Sequence, residues 1–258
     1  MRAMTLLGID HLVVAVADPD GAALALEREL GLAFTGGGRH DRAGTFNRLV
    51  FLGDTYLELI GVFDRSLVMA GATFPVGRAA LALLDEGREG LATWAIATDD
   101  CAAEARRLRA AGSPIGEPVA GSRTRPDGEV VRWLTAFPQL GPGEPPFLIE
   151  HEPAGTEWGP VARQARAAFR HPAGGRLRVG SLDLPVPDPV AAAARHRDVL
   201  GLAIDADHGA AIGGQAVWLV EAEPGRPEGA VPVVRITSPD DGVRAADLVR
   251  YGVRWRLG

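Results

Sequence analysis

Ile9-Asp10-His11-Leu12-Val13-Val14-Ala15-Val16, followed by Asp18-Pro19 and closed at Leu30-Gly31, is the stretch that decides the fold. The first eight residues form a mostly apolar run of strand length, rich in β-branched side chains. Asp18 is suited to cap a helix with Pro19 in its first turn, and Ala23, Leu26 and Leu30 share one helical face before Gly31 ends it. The stretch reads as a strand and a helix with both helix ends marked.

The same grammar returns three times along the chain. Leu91 to Ala97 is followed by a cap at Asp99, a buried face of Ala105, Leu108 and Ala111, and a stop at Gly112. Leu182 to Val186 is followed by Asp188-Pro189 and Gly201. Val233 to Thr237 begins a weaker copy, with a helix expected from about Asp240 to Tyr251 and Gly252. Short β-like runs come after each of the first three helices. In the first module they are Ala33 to Thr35, Thr45 to Leu52 and Tyr56 to Val62, the last two joined by Gly53-Asp54. In the second they are Glu117 to Thr124, Glu129 to Phe137 and Phe147 to Glu152, with Pro126-Asp127-Gly128 as a turn. The third keeps Ala210 to Ile212 and Gln215 to Glu221.

The fold class is therefore α+β, built from repeated βαβββ modules. Two modules, residues 5–152, are expected to form an open mixed-sheet barrel around a cavity, since a helix covers one face of each four-stranded unit and leaves the other free. Residues 153–175 read as a linker with a helix around Val161 to Phe169, and 176–258 as a degenerate third and partial fourth module. The edge left open after Gly252 calls for cover from the first barrel or from a second copy in a homodimer.

At 258 residues and 47% hydrophobic, the chain has ample material for a core. Its one thiol, Cys101, rules out an intramolecular disulfide and fits a reducing cytoplasm. Met1 to Gly8 has neither a signal-peptide profile nor a membrane span. A net charge of -6, with no lysine and all basic charge on arginine, argues against nucleic acid as a partner and leaves a small molecule.

Ile-Asp-His-Leu-Val-Val at 9–14, Tyr-Leu-Glu-Leu-Ile at 56–60 and Phe-Leu-Ile-Glu at 147–150 resemble the vicinal-oxygen-chelate superfamily of glyoxalase I, extradiol dioxygenases and fosfomycin- and bleomycin-resistance proteins. His40 with Gly44-Thr45-Phe46-Asn47, Ser122 to Gly128, and His171-Pro172 resemble its glyoxalase-like subgroup. The likeness spans roughly residues 5–220. It implies one divalent metal (Zn, Ni, Mn or Fe) held by His11, Glu58 and Glu150, with Glu58 or Glu150 as proton carrier. The counterpart of His11 in the second module falls at Ala92, which cannot ligate; His40 is a possible additional ligand or base. Tyr56, Glu58 and Ile60 share one face of their strand and Leu57 and Leu59 the other, while Glu150 shares a face with Leu148 and not with His151.

Arg123, Arg125 and Arg132 flank the second-module turn, suited either to bind substrate oxygens through guanidinium forks or to pair with Asp127 and Glu129 on a solvated hairpin. Asn47 offers an amide to the same substrate. The resulting expectation is a metal-dependent isomerase or lyase acting on a small oxygen-rich or anionic substrate. Two alternatives stand beside it: a sequestering binder of the bleomycin-resistance kind, and an extradiol-type dioxygenase.

Overall fold

The computed structural model describes residues 6–71, 75–125, 127–222 and 231–258; Pro126 of the expected second-module turn lies outside them. The first repeat folds as β1 (Leu6–Ala15), α1 (Pro19–Leu30), β2 (Gly36–His40), β3 (Thr45–Leu52) and β4 (Thr55–Val62). After α2 (Arg65–Ala70) and α3 (Pro75–Asp85), the second is β5 (Gly90–Thr98), α4 (Cys101–Ala110), β6 (Val119–Thr124), β7 (Val130–Ala136) and β8 (Phe147–His151). The short α5 (Gly155–Trp158) and α6 (Pro160–Ala168) lead into β9 (Arg178–Val186), α7 (Pro189–Leu200), β10 (Gly209–Ile212) and β11 (Gln215–Glu221). The chain closes with β12 (Val233–Thr237), β13 (Ala246–Arg250) and β14 (Val253–Leu257).

One eight-stranded sheet runs β2-β3-β4-β1-β5-β8-β7-β6. Its symmetry follows the repeat: β1 pairs parallel with β4, β5 parallel with β8, and β1 antiparallel with β5 at the centre. The sheet curls until its end strands approach, and a Cβ built on Gly38 of β2 would lie 3.5 Å from the Thr124 carbonyl oxygen of β6. The result is a nearly closed barrel. A separate six-stranded sheet, β10-β11-β9-β12-β14-β13, repeats the same pairing with fewer strands.

Three local expectations are corrected. The strand expected at Ala33 to Thr35 lies instead at Gly36–His40. The cap of α4 is Asp100, whose carboxylate accepts from Ala103 N at 2.8 Å, so this helix starts one residue later than Asp99 implies. The helix expected from Asp240 to Tyr251 is a β-hairpin, β13–β14. Tyr251 and Gly252 both have positive φ, 52° and 60°, the backbone of a two-residue turn that matches strand twist. Beyond it Val253, Trp255 and Leu257 are buried between the outward Arg254 and Arg256, a period of two that no helix accommodates. β14 therefore pairs with β12, and β13 forms the edge.

Helices α1, α4 and α7 lie between the two sheets. Leu12 and Leu57 from the barrel's outer face, Leu26 of α1, Leu108 of α4, Leu200 of α7, and Leu182, Val234 and Trp255 of the second sheet belong to one continuous buried cluster. Polar contacts tie the layers as well: Gln215 accepts from Ile9 N at 2.6 Å and donates to Thr55 Oγ1 at 2.8 Å. Gly31, at φ 67°, packs against the 153–175 segment so closely that a Cβ would stand 2.6 Å from Ala173 N. Gly31→Ala is expected to lower stability by more than about 1 kcal/mol, since left-handed strain adds to a backbone clash. A denaturant titration with an unchanged midpoint would refute this.

Candidate functional site

The barrel's inner face is set by register. His11 lies beside Tyr56 and Val13 beside Glu58 across the parallel β1–β4 pair, and side chains in register share a face. Between Ile9 and His11 the pairing with β5 skips a residue, so Asp10 sits in a bulge. Bulged, Asp10 stays buried next to the inward His11 instead of pointing cleanly away from it.

Asp10 Oδ1 lies 2.6 Å from His11 Nδ1 and 3.1 Å from His151 Nε2, joining histidines of both modules. Burial by itself raises the Asp10 carboxyl; the neighbouring His151 and the hydrogen bonds of both imidazoles outweigh it and hold the group well below the usual carboxylate range. With Nδ1 bonded to Asp10, His11 presents Nε2 to Glu58 Oε2 at 3.7 Å, beyond hydrogen-bond distance. Glu58 is oriented from its other oxygen: Asn47 Nδ2 donates to Oε1 at 2.7 Å, and Gly38 N donates to Asn47 Oδ1 at 2.9 Å. The ring of Tyr56 stacks on His11 at 4.5 Å.

Arg123 enters from β6. Its side chain is 5% exposed and Nη2 donates to Glu157, which is equally buried and arrives from α5. Arg125 Nη1 donates to the other Glu157 oxygen at 3.0 Å. Among the described residues, Arg123 Nη1 has no hydrogen-bond partner. His11, Asn47, Glu58, Arg123, His151 and Glu157 line one cavity with Tyr56, Trp133 and Trp158. It encloses about 50 Å³, room for a few waters.

The remaining expected residues are dispersed. His40 borders the cavity, with Nδ1 2.9 Å from Thr45 Oγ1. Arg125 is partly exposed and also pairs with Asp127, while Arg132 is largely exposed and faces Glu152 at 3.9 Å. Glu150 lies on the opposite face of β8 from the cavity. There its Oε2 accepts from Cys101 N at 2.9 Å, at the start of α4, where a carboxylate is favoured. β8 pairs with β5 so that Phe147 lies beside Ala95, which turns Phe147, Ile149 and His151 inward and Leu148 and Glu150 toward the helices. His151, its ring stacked on Trp158 at 3.6 Å, is the polar residue that β8 contributes.

These donors do not fit the His–Glu–Glu centre that the resemblance implies. With Asp100 as the cap, the position equivalent to His11 is Thr93 and not Ala92; neither supplies an imidazole, thiolate or carboxylate. Among the described residues no three His, Cys, Asp or Glu side chains form a group able to hold a metal ion.

Asp10, His151, Glu157 and Trp158 were not legible as site residues. Asp10 is hidden by its bulge, and Glu157 and Trp158 belong to a segment that reads as linker. His151 had one visible signal, its alternation with Phe147 and Ile149.

Burial depresses the basicity of three histidines: His40 in the cavity wall, His171 between Ala33 N and the Phe51 carbonyl, and His196 against the Ala192 carbonyl. Each binds its proton less readily folded than unfolded. Between their lowered folded values and the ordinary 6.5 the unfolded chain therefore holds more protons, and stability must fall as pH drops through that window. Denaturation midpoints at pH 7.5 and pH 5 are expected to differ in that direction; equal midpoints would exclude it.

Residues 9–200 match the family model of the glyoxalase-like domain. A hypothetical protein from Staphylococcus aureus superposes with a TM-score of 0.76 at 16% identity, over 97% of this chain and 98% of its own. Methylmalonyl-CoA epimerase from Mycobacterium tuberculosis aligns with a TM-score of 0.43 at 24% identity, over 60% of this chain and 95% of its own. The Streptomyces coelicolor enzyme of that name, bound to 2-nitronate-propionyl-CoA, gives 0.42 and 19% over 57% and 98%. No curated protein matches the sequence. Among the described residues no helix is long and apolar enough to cross a membrane.

Proposed function

The chain belongs to the glyoxalase-like domain family, and we propose that it is an enzyme of the isomerase or lyase type, moving a proton on a small oxygen-rich substrate held in the barrel cavity. One observation carries this reading: a buried carboxylate, Glu58, fixed by Asn47 through one oxygen, shares a small cavity with a buried guanidinium that has an N–H to spare. A carboxylate in such a place takes a proton from carbon, and a fixed N–H donor steadies the negative charge that forms on oxygen. Asn47 and Gly38 orient the base, while Asp10 sets the tautomer of His11, so that Nε2 faces Glu58.

The test is hydrogen exchange in D₂O over a panel of small hydroxy-ketones, aldehydes and keto-acids, followed by NMR. It is run in chelator and again with Zn²⁺, Ni²⁺, Mn²⁺ or Fe²⁺. Catalysed exchange of a hydrogen next to a carbonyl is the expected result. Compounds that bind without exchange under every condition would leave the sequestering binder as the account of this barrel.

A further inference from the structure

We infer that the cavity takes an uncharged carbonyl group, and that Arg123 Nη1 holds its oxygen in the role that a metal ion would otherwise fill. The chemistry rests on the proton-transfer reading above; the recognition does not.

Charge decides which ligand the cavity accepts. Glu58 and Glu157 both line the cavity and Asp10 abuts it through His11 and His151, so three carboxylates surround the space. Against them Arg123 is the one deeply buried guanidinium among the lining residues, and it is already paired with Glu157, both side chains 5% exposed. Arg125 adds its charge to the same Glu157 but is shared with Asp127. A substrate carboxylate arriving here has to displace Glu157 from a buried ion pair or lie as a further anion near Glu58. Both are strongly unfavourable. A neutral carbonyl displaces nothing. It supplies the single acceptor that Arg123 Nη1 lacks, and a buried N–H without a partner is costly until one arrives.

The step balances without a cofactor. Glu58 Oε2 accepts the hydrogen from the carbon next to the carbonyl, and the C–H electron pair forms a C=C bond. The C=O π pair moves onto oxygen as an enolate held by the Arg123 N–H. The protonated Glu58 returns the proton to the same carbon, where the C=C electron pair forms the new C–H bond, and the oxygen regains its double bond. An electrophile is needed at that oxygen, and among the described residues the donors around His11 and Glu58 form no group able to hold a metal ion in that role.

Binding of hydroxyacetone and pyruvate, which share a methyl ketone and differ in charge, tests this in metal-free buffer by ligand-observed NMR. Wild type should bind hydroxyacetone about tenfold more tightly than pyruvate, and Glu157→Gln, which keeps an acceptor but releases the guanidinium charge, should reverse the preference. Arg123→Lys, checked for folding by its thermal melt, should weaken hydroxyacetone about tenfold because the ammonium cannot reproduce the fork. Wild type that prefers pyruvate or binds neither compound overturns the inference, as does a ratio that Glu157→Gln leaves unchanged. All these readouts are binding constants. A failure to exchange hydrogen would strike the proposed reaction alone, and a failed charge reversal would strike this inference alone.

Discussion

Glu58→Gln is expected to lower turnover by about 10²–10⁴-fold, the range associated with a positioned general acid or base. The amide keeps the shape of the carboxylate and its contact with Asn47, since the carbonyl oxygen of the substituted side chain can still accept from Asn47 Nδ2. What it loses is the ability to take a proton. The loss should fall on kcat with KM nearly unchanged, because the residue touches the migrating hydrogen and not the part of the substrate that anchors it. Glu58 is 7% exposed and, among the described residues, the basic group that faces it is His11 Nε2 at 3.7 Å and not an arginine, so removing its charge orphans no guanidinium and should not unfold the barrel. Under tenfold loss of kcat in a folded protein would remove Glu58 from the reaction.

Trp255→Ala is expected to cost about 3–5 kcal/mol, the usual penalty for deleting a fully buried tryptophan. Trp255 is 0% exposed, sits in the cluster that α1, α4 and α7 share with both sheets, and donates from its indole nitrogen to the Arg250 carbonyl at 3.1 Å. That bond closes the β13–β14 hairpin from inside. Because the same cluster holds the outer face of the barrel, the second sheet and the barrel should lose stability together. A chemical denaturation curve with one shifted transition is the expected result. A second transition, in which only the C-terminal sheet melts early, would show that the two layers are energetically separate.

Modular architecture was open to reading because it rests on local signals that agree with one another. In the first and third modules the Asp-Pro cap, the glycine thirteen residues after that Asp and the apolar face between them need no partner to declare a helix. β4 likewise announces its inward face: Leu57 and Leu59 complete an apolar stripe against the helices, which leaves Tyr56 and Glu58 for the cavity. The fourth module misled for the opposite reason. Asp240 to Tyr251 lacks a strong period of either kind, and only the partners β12 and β14 show that it closes as a hairpin.

Composition and spacing by themselves determined the α+β class, the repeat and the strand that carries His11, since propensity, capping and alternation act over a few residues. Tertiary structure alone decided the content of the cavity. In β8, five residues long, both Glu150 and His151 are polar, and alternation says that they point apart without saying which points in. The register against β5 makes that choice, sending Glu150 to the start of α4 and His151 to Asp10. The β1 bulge and the arrival of Glu157 on Arg123 are of the same kind. Each depends on contacts between residues far apart in the chain, where a shift of one position exchanges the inside of the barrel for its outside.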